Sequence, residues 1–205
     1  MGGNRVFWIL LIFAYLLGSV PFSVIFANMK GINLLECGSR NPGSTNAFRC
    51  AGPLVGTAAL ICDILKGFLA VWIADLLLEP IWQVYLVGVF AILGHTKSLF
   101  LGFKGGKAIA TSSGVFLYIA TWPILMAAVI FAITLLLWRM VSLASIMGGI
   151  AFPLFVLLTD FKNPLLILIS FAVAAYAIWR HRGNIERIRR GTEQKIFEKG
   201  KKRVK

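Results

Sequence analysis

The sequence predicts an all-α membrane protein. It reads as seven transmembrane helices, N-terminus periplasmic and C-terminus cytoplasmic, with re-entrant or interfacial cytoplasmic loops. Three observations predict this. The 205 residues are 59% hydrophobic and 14% charged, where soluble domains run at about 45–50% and about 25%. The mean hydropathy is +0.83. Apolar runs of membrane-crossing length alternate with polar segments that hold most of the basic residues. This composition excludes a disordered chain and argues against an ordinary water-soluble enzyme.

Each span follows from the need for about 20 apolar residues. The first is 6–27, a run too long for a secretory signal and without a small-residue cleavage site, so it is expected to be retained. A polar, glycine-rich segment follows. The second span, 54–78, contains Asp63 and Lys66. After Glu79 and Pro80 comes the third, 81–94, then a polar segment, 95–107. Residues 108–138 carry no Asp, Glu, Lys or Arg. That stretch is too long for one comfortable span and too short for two full ones with a turn. Thr121-Trp122-Pro123 is its natural break, since proline ends helices and tryptophan favours the interface. The sixth span is 141–159, stopped by Asp160-Phe161-Lys162-Asn163-Pro164. The seventh is 165–179. A basic tail runs from Arg180 to the end.

Charge placement decides the ambiguous stretch. If 108–138 forms two short helices, one face receives Lys30, Arg40, Arg49, Lys97, Lys104, Lys107, Arg139 and the whole basic tail. Cytoplasmic segments carry such an excess. The other face receives Asp75, Glu79 and Asp160. Spans four and five are therefore expected to be short, at a modest mismatch cost. No internal repeat or second domain is evident: residues 1–180 form one helical domain and 181–205 a basic cytoplasmic tail. The net charge of +13 suits the anionic leaflet or acidic ligands. Cys37, Cys50 and Cys62 are odd in number, and the first two fall in a cytoplasmic loop, so all three are expected to be unpaired.

Three polar segments on the basic face could carry chemistry. The first, 38–49, reads Gly-Ser-Arg-Asn-Pro-Gly-Ser-Thr-Asn-Ala-Phe-Arg. Small residues expose backbone N–H groups, Ser39, Asn41, Thr45 and Asn46 add polar donors, and Arg40 and Arg49 bring fork-shaped charge suited to phosphate. A solvated loop has a similar composition. The second segment, 94–107, ends Phe-Lys-Gly-Gly-Lys and leads into the fourth span. Lys104 and Lys107 bracket Gly105 and Gly106 where a helix begins, which makes an anion cradle. It is not a Walker A loop, because its spacing is one short and Ala108 stands where Ser or Thr is needed. The third segment begins Arg180-His181-Arg182-Gly183-Asn184. Polybasic contact with anionic lipid accounts for Arg187–Arg190 and Lys199–Lys205. It does not account for His181 and Asn184, which share a helix face.

Taken in order, these motifs resemble the bacterial integral-membrane glycerol-3-phosphate acyltransferases that use acyl phosphate, the PlsY family. The resemblance covers Gly18-Ser19-Val20-Pro21-Phe22, the 38–49 loop, Asp63-Ile64-Leu65-Lys66-Gly67, and Gly94-His95 through Lys107. It continues over Ala110-Thr111, then 180–185 and Gly191-Thr192-Glu193. Any one motif is moderately specific; the ordered set is highly specific. The chain departs from the pattern at Lys97 and Ser98 (an aromatic and a proline), at Ala108 (a glycine) and at Gly183 (an acidic residue).

The resemblance implies transfer of a fatty acyl group from acyl phosphate to the 1-hydroxyl of sn-glycerol 3-phosphate, giving lysophosphatidic acid and phosphate, the first acylation of phospholipid synthesis. It implies a multi-pass protein of the bacterial inner membrane with its active site on the cytoplasmic face, completed by the start of the tail. No cofactor or metal is expected. The partners are the two substrates and the lipid bilayer, with functional coupling to the enzyme that makes acyl phosphate, and no nucleic acid. On this reading His181, Asn184 and Ser39 are catalytic. Lys107 and Lys104, with Gly105 and Gly106, hold one phosphate. Arg49, with Asn41, Gly43, Thr45 and Asn46, holds the other phosphate or the acceptor. His181 is the base, or a substrate phosphate oxygen takes the proton. His95, Glu193, Asp63 and Lys66 are outlying members, with His95 equally suited to capping or packing and Asp63–Lys66 to an ion pair facing the bundle.

The residues also allow a transporter of phosphorylated metabolites. A transport path should place polar residues deep along several spans, and here only Asp63 and Lys66 qualify. A covalent acyl-enzyme looks unnecessary: no Gly-x-Ser-x-Gly elbow occurs, and Phe100, not Asp, lies five residues after His95. Glu186, five residues after His181, reads as an accidental partner.

Overall fold

The computed structural model describes residues 2–196, and side chains from Arg5 onward. Lys199–Lys205 lie outside the described residues. The elements are helices: α1 (Gly2–Ser19), α2 (Phe22–Asn28), α3 (Ser44–Ala51), α4 (Pro53–Leu77), α5 (Ile81–Thr96), α6 (Ile109–Ile119), α7 (Thr121–Trp138), α8 (Val141–Thr159), α9 (Pro164–Arg180) and α10 (Arg182–Arg189), with a 3-10 turn at Leu99–Leu101. Among the described residues, β-type pairing is limited to one bridge between Ser98 and Lys104.

Each expected apolar run carries a helix. Four segments are long and apolar enough to cross a membrane: Arg5–Asn28, Pro53–Leu77, Thr121–Trp138 and Val141–Thr159. The pair α9–α10 meets the same test as one element bent by 57°, and α5 and α6 are shorter apolar helices.

The first run is one candidate span, Arg5–Asn28, with a break inside it: α1 ends at Ser19 and α2 restarts at Phe22, because Pro21 has no N–H to donate and its ring crowds the preceding turn. Two expectations need correction. Of spans four and five, α6 is short at 11 residues but α7 is not, with 18. The break between them is at Ala120, so Pro123 falls in the first turn of α7, where a missing N–H costs nothing. Finally, Cys37 and Cys50 are joined as a disulfide, with Cα atoms 6.2 Å apart. The turn at Gly38 and Arg40, both with φ of +58°, folds the loop back so that the two sulfurs meet across its neck. Cys62 is free.

Helices that are apolar all round must associate through close packing, because lipid is as apolar as their side chains. Small residues make that contact. A Cβ on Gly18 would collide with the carbonyl of Ala91, and one on Gly94 with that of Tyr15, so α1 and α5 cross backbone to backbone. Gly67 lies on the carbonyl of Thr111 and Gly114 on that of Ile64, which locks α4 to α6. Beyond these crossings Val71, Val87, Val115, Phe116, Phe152 and Val156 fill the centre. Large apolar side chains elsewhere point outward: Leu136 is 79% exposed and Leu158 75%, as surfaces facing acyl chains require.

Candidate active site

A hollow of about 920 Å³ lies where the loop before α3, the segment before α6, the α7–α8 turn and the α9–α10 bend converge. Its walls include Ser39, Asn41, Gly43, Thr45, Asn46, Arg49, Lys107, Ser142, Arg180, His181, Asn184, Arg187 and Glu193, with Asp63 and His95 at the base. Phe48, Leu60, Ile109, Phe131, Leu135 and Val141 add an apolar side.

The centre is a continuous polar chain. Lys107 Nζ donates to Asn184 Oδ1. Asn184 Nδ2 donates to Glu193 Oε1 at 2.7 Å, and Ser142 Oγ donates to the same oxygen at 2.7 Å. Arg187 Nε pairs with Glu193 Oε2 at 2.7 Å. Burial works against the Glu193 charge, but the hydrogen bonds from Ser142, Asn184 and Arg187 outweigh it and hold the carboxyl below its ordinary range. The carboxylate thus orients the Asn184 amide, leaving its oxygen for Lys107. Burial pulls the Lys107 ammonium down to about 8, helped by the charges of Arg187, Arg49 and Arg180 and opposed by Glu193. The lysine is still mostly charged at neutral pH and more ready than an exposed one to exchange its partner for an anion.

His181 is the residue between α9 and α10, where the chain bends by 57°. Its Nδ1 lies 2.7 Å from the Ala177 carbonyl, so Nδ1 carries the proton and Nε2 is the accepting nitrogen. Burial lowers the imidazole pKa to about 4, with Lys107 and Arg180 adding to the effect. At neutral pH the ring is neutral.

The 38–49 loop is organised from within. Asn46, 2% exposed, accepts from the Ser39 N–H at 2.9 Å and donates to the carbonyls of Leu34 and Cys37 at 3.2 and 3.1 Å. Its amide is spent on shaping the loop rather than left open to a ligand. Ser39 and Asn41 remain on the wall, and Gly43, Ser44 and Thr45 bring the N-terminus of α3 to it, a favourable end for an anion. Arg49 reaches the Gln194 carbonyl at 3.1 Å, linking the loop to the start of the tail.

The cradle divides. Lys107 faces the hollow, whereas Lys104 is exposed and outside its walls. Gly105 and Gly106 are buried under Arg180, whose Nη2 donates to their carbonyls at 2.8 and 2.9 Å. They also line a separate space of about 10 Å³, room for about one water, with Asp63, Lys66 and His95. There Lys66 Nζ lies 2.7 Å from Asp63 Oδ1 and donates to the Val20 carbonyl at 2.8 Å. That carbonyl sits at the Pro21 break and also accepts from the Phe22 N–H at 3.2 Å. His95 Nδ1 lies 3.6 Å from Asp63 Oδ1. Glu186 pairs with exposed Arg190 at 2.6 Å and does not face His181. Ala108 has a φ of +76°, a left-handed conformation that glycine adopts more readily than alanine.

Sequence reasoning missed three members. Arg180 stood in a motif but had no role. Arg187 was taken with the lipid-facing charges, and Ser142 was hidden inside an apolar run. The available signal was spacing: Arg187 lies three residues beyond Asn184, which brings both to one face of α10.

The chain matches the family model described as glycerol-3-phosphate acyltransferase over residues 8–191. It is 47% identical over 192 residues to the glycerol-3-phosphate acyltransferase of Geotalea daltonii, covering 93% of this chain and 97% of that protein. The crystal structure of the integral membrane glycerol 3-phosphate acyltransferase PlsY in its glycerol 3-phosphate form superposes with a TM-score of 0.88 at 35% identity, over 93% of this chain and 96% of that one. The lysophosphatidic acid form gives 0.85, with the same identity and 93% and 95% coverage.

Proposed function

This chain belongs to the glycerol-3-phosphate acyltransferase family, a membrane transferase of phospholipid synthesis, and we propose that it takes its acyl group from acyl phosphate. The acceptor is the 1-hydroxyl of sn-glycerol 3-phosphate, and the products are lysophosphatidic acid and inorganic phosphate. The observation that carries this reading is the Lys107–Asn184–Glu193 chain in a hollow with one apolar side. The chain sets Lys107 in a hollow that Arg49 and Arg187 also line, where two phosphates would meet, beside apolar side chains suited to an acyl tail.

The chemistry asks little of a nucleophile. Acyl phosphate is a mixed anhydride with a good leaving group. Lys107, Arg49 and the α3 N-terminus neutralise the phosphates, and Ser39, Asn41 and Thr45 add donors along the same wall. The hydroxyl oxygen attacks the acyl carbonyl carbon, the carbonyl oxygen becomes an oxyanion, and the bond to the phosphate oxygen then breaks. Lys107 can stabilise the oxyanion or the departing phosphate. Neutral His181 Nε2 can take the hydroxyl proton, as can a phosphate oxygen of the substrate. Ser142 is committed to Glu193, so it serves Asn184 rather than attack. Holding both substrates in one hollow supplies the rest through proximity.

We read the membrane arrangement as seven spans with the hollow on the cytoplasmic side of the bacterial inner membrane, close to the enzyme that makes acyl phosphate. Helix α6, about 17 Å long at 1.5 Å per residue, spans only with local thinning of the bilayer. The test is an assay of purified protein with acyl phosphate and glycerol 3-phosphate. Release of phosphate together with lysophosphatidic acid is expected, with little turnover of acyl-coenzyme A. Equal turnover of the two donors would refute the donor assignment.

A further inference from the structure

The Gly105–Gly106 turn is held from two sides. Arg180 donates to both of its carbonyl oxygens, at 2.8 and 2.9 Å. From below, the Gly106 N–H donates to the His95 carbonyl at 3.1 Å, and a Cβ on Gly106 would collide with His95 Nε2. His95 is 8% exposed and backed by Asp63 and Lys66, of which Lys66 is anchored on the Val20 carbonyl. The next residue is Lys107, whose ammonium meets Asn184, four residues after Arg180. Arg180 therefore ties the turn carrying one half of the Lys107–Asn184 contact to the helix end that leads to the other half.

We propose that Arg180 is a positioning residue for acyl transfer, clamping the Gly105–Gly106 turn against His95 so that Lys107 is aimed into the hollow. Its guanidinium acts through Lys107 and does not itself hold substrate. Both bonds leave one nitrogen, Nη2, whose two N–H groups are fixed in the guanidinium plane, whereas a lysine at the same place would be a point charge on a flexible stem. The proposal rests on the acyltransferase reading, because its readout is turnover.

The test is a double-mutant cycle on purified, monodisperse protein, read as kcat/KM for acyl phosphate and glycerol 3-phosphate. Misplacing a positioned group by about 1 Å can cost about 100-fold. Arg180→Gln should therefore lose about 10- to 100-fold in the parent chain. It should lose less than about threefold in a Lys107→Ala background, where there is no ammonium left to aim. Arg180→Lys keeps the charge but not the planar, fixed N–H groups at the reach of Nη2, and should show most of the same loss and the same dependence on Lys107. It also completes the cycle if Arg180→Gln fails to fold. Removing the Arg180 charge should in addition move the alkaline limb of the pH profile upward, because Arg180 is one of the cations that lower the Lys107 pKa, with Arg187 and Arg49 and against Glu193. Losses that multiply across the cycle, or full activity in Arg180→Lys, would overturn the clamp. A parent chain that makes no lysophosphatidic acid would instead overturn the acyltransferase reading.

Discussion

In the proposed mechanism Lys107 concentrates the chemistry in one side chain. Replacing it with Ala removes a charge-assisted contact worth about 1.5–3 kcal/mol, roughly 10- to 150-fold in kcat/KM. Its protonated form is the useful one, and burial has lowered its pKa to about 8. Activity should therefore fall as pH rises through about 8. Lys107→Arg should remove that limb, since a guanidinium keeps its proton. A pH–rate profile in which the limb survives the arginine substitution would assign it to another group. At this scale the sequence was only partly legible. Lys107, Asn184 and His181 stand out because they are polar residues at glycine-bearing junctions. Asn46 looks the same in a string of letters but points inward, since a buried amide that satisfies three backbone groups resembles a ligand until the loop is closed. Lys104 shares the cradle with Lys107 in sequence, but it is exposed and lies outside the walls of the hollow.

The helices were legible through hydropathy, and their junctions less so. Pro21 announces a break, but only Lys66 reaching the Val20 carbonyl at that break, and its pairing with Asp63, explain why a buried lysine stands in α4. Helix α3 lies in a segment whose polarity reads as loop, because a short helix of mixed polarity presents too little apolar surface to register. The motif glycines divide by element. Gly18, Gly67 and Gly94 serve helix crossings rather than phosphate, which spacing alone does not reveal. Gly67→Ala should lower folded yield and the thermal midpoint in detergent, because its new methyl group meets the Thr111 carbonyl. Gly149→Ala, with nothing within 4 Å, should not. A thermal melt of the two variants side by side checks this, and equal midpoints would remove the α4–α6 crossing from the account.

Across the whole molecule, charge and tryptophan sort together. Trp138 and Trp179 lie at the ends of α7 and α9 next to Arg139 and Arg180, whereas Trp8, Trp72, Trp82 and Trp122 lie toward the opposite ends of their helices in a seven-span arrangement. All six are exposed, between 42% and 74%, as interfacial anchors are. A C-terminal reporter should accordingly be active in the cytoplasm, and one active only outside would invert the topology. The bulk of the basic tail should contribute little in detergent. Deleting residues 201–205 should leave turnover within about twofold, because screened surface charges are weak, against the large loss expected for Lys107→Ala. The central claim is that both substrates meet in one hollow and the acyl group passes directly between them. Initial-rate kinetics with both concentrations varied test it most directly. Intersecting double-reciprocal lines are predicted, as a ternary complex requires; parallel lines, with a kinetically competent acyl-enzyme on rapid quench, would contradict it.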